Sequence, residues 1–147
     1  MFFHVWFGTK RRKWLLQGDV LDAARNLLRT IADEKGIKLV ECEAVVDHVH
    51  LLLDLPDKSE LPRTMMLLKG VSARRLFERF PEIKIDAKTE SFWQAGYGSK
   101  VVAPGAIPAT ANYIRSQWDK LDSYDHASMP GGSARGTVPI LREGKPR

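Results

Sequence analysis

One cysteine, Cys42, is all the thiol this 147-residue chain has, so no disulfide closes within it and no Cys-x-x-Cys pair holds a thiolate zinc site. That usage fits a reducing, intracellular setting. No apolar run nears the roughly 18 residues a membrane span needs. No basic stretch followed by an apolar core follows Met1, so nothing reads as a signal peptide. There is no internal repeat. Acidic residues are in deficit, 18 against 23 Lys+Arg, and the net charge of +5 points to a polyanionic partner. What remains is 44% hydrophobic and 28% charged, the make-up of one globular domain with one core.

The hydrophobic periods give an order of elements. Residues 2–9, FFHVWFGT, are aromatic and β-branched and read as a strand. The basic loop Lys10, Arg11, Arg12, Lys13 follows. Asp19 is placed to cap a helix over 20–35, with Val20, Ala24, Leu27, Leu28 and Ile31 on its apolar face and Gly36 as its stop. Residues 37–46 and 48–55 read as an antiparallel hairpin. Ser59 is placed to cap a second helix to about Phe80, with Leu61, Met65, Leu68, Ser72, Leu76 and Phe80 inward. A loop is expected over 81–90, a fourth strand near the end of 91–102, and a last helix from Pro108 to Leu121. Residues 1–121 then form the folded domain. Residues 122–147, rich in Gly, Pro, Ser and Arg, read as a mobile or loosely docked tail. The order β-α-β-β-α-β predicts an α+β, ferredoxin-like fold: a four-stranded antiparallel sheet with two helices on one face and an added C-terminal helix.

The chemistry concentrates in two places. His48-Val49-His50 lies inside an apolar strand, where alternation turns both imidazoles to one face and Val49 and Leu51 to the other. Two such rings suit one metal ion, and with oxygen ligands and open positions they suit Mg²⁺ or Mn²⁺. In the last helix, Tyr113 and Gln117 are four apart and are expected on one face, with Cβ atoms roughly 5–6 Å apart. A phenol and an amide beside a metal are parts of a phosphoryl-transfer site. Tyr97, in a Gly-flanked turn, and Tyr124, at the start of the tail, are rival nucleophiles without an amide four residues on. Lys10, Arg11, Arg12, Lys69, Arg74 and Arg75 are the candidate nucleic-acid contacts, with Trp6, Trp14, Phe92 and Trp93 near basic residues. Charge neutralisation with base stacking is how proteins hold single strands. Most of these aromatics nevertheless read as core. The role of His4, on the strand expected beside His50, stays open.

HVWFGTKRRK, DHVHLLLDLP, LLKGVSARRLFERFPE, FWQAGYG and YIRSQ occur in that order. Over about residues 3–121 the chain thereby resembles the single-tyrosine transposases of the HUH-endonuclease superfamily, the TnpA type of compact bacterial insertion sequences, related to transposases associated with repeated extragenic palindromes. The resemblance implies that His48, His50 and Gln117 ligate a divalent metal and that Tyr113 attacks a DNA phosphate, leaving a 5′-phosphotyrosine and a free 3′-OH. It implies hairpin-bearing single-stranded DNA as partner, a homodimer, sites assembled within one chain or across two, and a bacterial cytoplasmic setting. The segment after Tyr97, GSKVVAPGAIP, departs from the family's usual stretch. Three rivals stand beside this reading: a domesticated hairpin binder that does not cut, a replication initiator or relaxase of the same superfamily, and a small-molecule metal hydrolase.

Overall fold

A computed structural model describes residues 1–119. The proposed tail, 122–147, and Tyr124 lie outside the described residues. Four strands, β1 (Phe2–Gly8), β2 (Lys38–Val45), β3 (His48–Asp54) and β4 (Gly98–Val102), form one sheet in the order β2-β3-β1-β4. Every neighbouring pair is antiparallel, with β1 and β3 central. This is the ferredoxin-like arrangement the element order predicts.

Alternation sorts the two central strands. Phe3, Val5 and Phe7 join Val49, Leu51 and Leu53 in the main core. Helix α1 (Gly18–Glu34) adds Leu21, Ala24, Leu28 and Ile31, and α2 (Leu61–Arg79) adds Leu61, Met65, Leu68 and Leu76, all buried. His4, Trp6, His48, His50 and Leu52 take the other face. There α4 (Ile107–Arg115) covers part of the sheet: Ala111 and Ile114 pack on Leu52 and Val102 in a second, smaller cluster. Arg115 of α4 pairs with Glu41 of β2.

The boundaries differ from expectation in four places. Asp19 does not cap α1. The helix begins at Gly18, and Asp19 lies in its first turn, where a carboxylate still suits the helix dipole. Its other end is as expected: Gly36 sits at φ 68°, Gly36 N–H donates to Asp33 C=O and Ile37 N–H to Ala32 C=O, a Schellman closure. Ser59 is not a cap either. It donates its backbone N–H to Asp57 Oδ1 (2.8 Å), and a 3-10 turn over Lys58–Glu60 precedes α2. Within the expected 81–90 loop, a short helix α3 (Glu82–Asp86) forms behind Pro81, anchored by buried Ile83. The last helix is interrupted: α4 ends at Arg115, Ser116 is a turn, and residues 117–119 resume helical geometry. The Tyr113 carbonyl accepts from the Ser116 hydroxyl (3.0 Å) and the Gln117 amide (2.9 Å), side-chain bonds that compete with the helix ladder.

Candidate active site

The β2–β3 hairpin closes with two residues, Val46 and Asp47. Val46 stands at φ 43°, an outlier for a β-branched residue. The segment after β1 holds it there. Leu16 N–H donates to Val46 C=O (2.9 Å), and Thr9 N–H donates to Asp47 C=O (2.9 Å). The same segment turns through Lys10–Arg12, with Arg11 and Arg12 both left-handed. That turn lays Arg12 across Gly8, where an added Cβ would stand 2.7 Å from Arg12 Cδ. Arg12 Nη2 thereby reaches Asp47 Oδ1 at 3.2 Å.

Asp47 is buried, and its Oδ1 is 2.8 Å from His48 Nδ1. Burial alone would raise its carboxyl. The hydrogen bond from His48 and the Arg12 guanidinium outweigh that and hold it below the usual carboxylate range. Asp47 thus anchors the His48 ring through Nδ1 and leaves Nε2 outward. His50 is anchored differently. It pairs in register with Trp6 of β1, and His4, two residues earlier on the same face, places Nε2 2.9 Å from His50 Nδ1. Burial, then the charge of Lys100, lowers the His4 pKa from its ordinary value, so His4 is neutral at pH 7. A neutral His4 can accept, at Nε2, a hydrogen bond donated by His50 Nδ1–H, and that tautomer leaves His50 Nε2 unprotonated. Both rings of the pair can therefore present a bare Nε2, each held from behind by an acceptor.

These donors fit a divalent ion. The His48 and His50 ring centres are 5.0 Å apart and nearly perpendicular (84°). Two imidazoles sharing one ion at about 2.1 Å would have centres roughly 5 Å apart. Among the described residues no group of three or more His, Cys, Asp or Glu side chains gathers as a metal site, so an ion held here would draw any further ligand from amide or external oxygen. The Gln117 amide is buried, with its nitrogen given to the Tyr113 carbonyl.

Tyr113 stands on α4 with its ring edge-on to both His4 and His50, 5.7 Å between centres in each case. It is 43% exposed and lines a cleft of about 550 Å³ with His4, Trp6, His50, Lys100 and Thr110. Tyr97 is not among the residues lining this cleft, and neither is Gln117. A smaller hollow of about 270 Å³ adjoins it, lined by Trp6, Gly8, Arg12, His48 and His50.

The structure thus brings His48, His50 and Tyr113 together within one chain, and sets Arg12 beside His48. The other basic candidates are elsewhere. Lys69 donates to the carbonyls of Gln94 and Gly96, Arg75 pairs with Glu34, and Arg74 is exposed, all on the helix layer behind the sheet. Lys10 and Arg11 stay in the turn after β1. Sequence reasoning missed Asp47 and Lys100 and left His4 unassigned. Asp47 had a signal, a carboxylate directly before the first histidine in an apolar run.

The sequence matches the family described as transposase, IS200 like, over residues 1–117. It is 34% identical over 118 residues to the ISDra2 transposase TnpA of Deinococcus radiodurans, covering 80% of this chain and 84% of that protein. It is 29% identical over 128 residues to the transposase for insertion sequence element IS200 of Salmonella typhimurium, covering 87% and 84%. Among solved structures, a Deinococcus radiodurans R1 protein assigned as a transposase superposes with TM-score 0.64 at 34% identity, over 80% of this chain and 90% of that one. A REP-associated tyrosine transposase bound to a REP hairpin shares the fold, with TM-score 0.56 at 11% identity over 83% of this chain and 67% of that one. With a family match over residues 1–117 and a fold shared with these structures, the chain belongs to the IS200-like transposase family.

Proposed function

We propose that this transposase is a metal-dependent single-strand DNA endonuclease and strand transferase that works through a 5′-phosphotyrosine at Tyr113 on hairpin-flanked DNA. The observation that carries the reading is the Tyr113 ring standing edge-on to His50 in the same chain. His48 Nε2 and His50 Nε2 would hold Mg²⁺ or Mn²⁺, with the Gln117 amide oxygen as a third protein ligand. The ion would make the phosphorus more electrophilic and offset the charge that develops on its oxygens.

The remaining steps belong to side chains. Asp47 and His4 fix the two imidazoles, so the ligands need no reorganisation. Tyr113 Oη attacks phosphorus. The Oη–P bond forms, the P–O3′ bond breaks, the phenol proton passes to solvent and the leaving O3′ takes one up. A phenol with pKa near 10 is a weak nucleophile at pH 7, so the phosphate has to be activated. Attack by another strand's 3′-OH reverses the step and releases Tyr113 without ATP. The hairpin partner is argued from the relative bound to a REP hairpin. A homodimer is part of the same proposal.

The test is incubation with Mn²⁺ or Mg²⁺ and an oligonucleotide copied from hairpin-forming DNA flanking the coding sequence. A 3′-label should become protein-linked under denaturing conditions, and a 5′-label should appear on a shorter strand ending in 3′-OH. Both products should vanish with chelator and in Tyr113→Phe. Tight hairpin binding that ignores chelator and yields no adduct would make the chain a non-cleaving binder and sink the proposal.

A further inference from the structure

Trp6 is the tryptophan that the core leaves out. Trp14, Trp93 and Trp118 are 2%, 6% and 8% exposed, whereas Trp6 is 38% exposed. It projects from β1 onto the open face, next to His50 in register. On its other side, Gly98 of β4 pairs with it, and a Cβ added there would stand 2.2 Å from the indole. The ring therefore lies against bare backbone. His4 meets it edge-on, with centres 5.1 Å apart.

The indole and His50 are shared by both hollows of the site. One holds Tyr113 and the cation Lys100; the other holds His48 and Arg12, the latter already paired with Asp47. A strand whose phosphate sits at the histidine pair would pass a base over Trp6. An exposed aromatic flanked by cations is the pattern that grips single strands by stacking, because every base has a π-face.

We infer that Trp6 is the stacking floor of a nucleobase slot beside the phosphoryl-transfer centre, with Lys100 holding a neighbouring phosphate. The ligand class is one unpaired base of single-stranded DNA, and the inference rests on the proposed function for its orientation. Gly98 is part of the slot because any side chain there would lift the indole.

The test uses the full chain in chelator, so that binding is read apart from cleavage. The probe is the flanking hairpin with a single-stranded extension of about ten nucleotides, carrying 2-aminopurine or an abasic site at each position in turn. At one position of the extension, 2-aminopurine should be quenched by wild type and not by Trp6→Ala. Affinity should fall roughly 10- to 100-fold in Trp6→Ala and Trp6→Leu, and Trp6→Phe or Trp6→Tyr should restore most of it. The abasic site at that position should weaken wild type by a similar factor and leave Trp6→Ala almost unchanged. Trp6→Leu keeps apolar bulk, so its loss with Phe rescue separates stacking from folding. Gly98→Val should lose the quench as well. Binding by Trp6→Ala within twofold of wild type, or an abasic penalty of undiminished size in that variant, would overturn the slot. Adduct formation in metal is scored separately: quenching without adduct keeps the slot and removes the enzyme, and adduct without quenching does the reverse.

Discussion

His50 makes its argument through one hydrogen bond. A histidine that ligates through Nε2 needs an acceptor at Nδ1, and His4 supplies it at 2.9 Å. His4→Ala should weaken Mn²⁺ binding, read by calorimetry or by the free-ion electron paramagnetic signal, roughly 10- to 100-fold. His4→Gln keeps a carbonyl acceptor and should recover part of it. Equal affinity in both variants would reduce His4 to packing. Asp47 serves His48 in the same way, yet the sequence advertises it only by position. His4 and His50 were readable as residues on neighbouring strands, but their 46-residue separation hid the bond, which depends on the register of β1 with β3. Cys42 behaves as the packing residue its strand position suggests. Burial pushes its thiol up to about 12. Iodoacetamide near pH 8.5 should leave it intact in the folded chain and alkylate it in urea, as mass spectrometry would read. The sign for stability follows. An unfolded thiol ionises near its ordinary value, and the folded one does not, so this group lowers stability as pH rises above about 9.

The elements were legible where their periods are long and opaque where tertiary bonds decide. The stripe Leu61, Met65, Leu68, Ser72, Leu76 could be read off because α2 buries one continuous face. The interruption at Ser116 could not, since YIRSQ has full helical character and the break comes from side chains taking the Tyr113 carbonyl. The short α3 was hidden by its brevity. For α4, docking matters more than propensity. Its Ala111 and Ile114 rest on Leu52 and Val102, a cluster separate from the main core. Ile114→Ala should cost about 2–4 kcal/mol by urea denaturation. It should raise amide exchange in α4 and reduce adduct formation more than Leu28→Ala, an equally buried change in the main core. Equal losses would mean that α4 has no special coupling to the site. At the end of α1, Gly36 meets nothing within 4 Å of an added Cβ, so Gly36→Ala isolates the left-handed φ and should cost about 1 kcal/mol.

At the scale of the molecule, two layers divide the work. Helices α1 and α2 and the inner sheet face hold the core; the outer face, half covered by α4, carries His4, Trp6, His48, His50 and Tyr113. The core that holds the fold excludes the histidine pair. The metal-free chain should therefore show a cooperative thermal transition of its own, raised further by added Mn²⁺ that binds the folded state, and a chain that is unfolded without metal would contradict a fold held by its own core. The resemblance pointed to His48, His50 and Tyr113 from short motifs, and the missing amide four residues on already set the rival tyrosines apart. In three dimensions Tyr113 faces the histidines and Tyr97 is absent from the cleft, while Tyr124 lies outside the described residues. That separation sets the most direct measurement. The protein–DNA adduct formed in Mn²⁺ is digested with protease and nuclease, and the peptide carrying the residual nucleotide is sequenced by tandem mass spectrometry. The account predicts a 5′-linked nucleotide on Tyr113, absent from His48→Ala and His50→Ala. A nucleotide on Tyr97 or any other side chain, or an adduct that persists without the histidine pair, would contradict it.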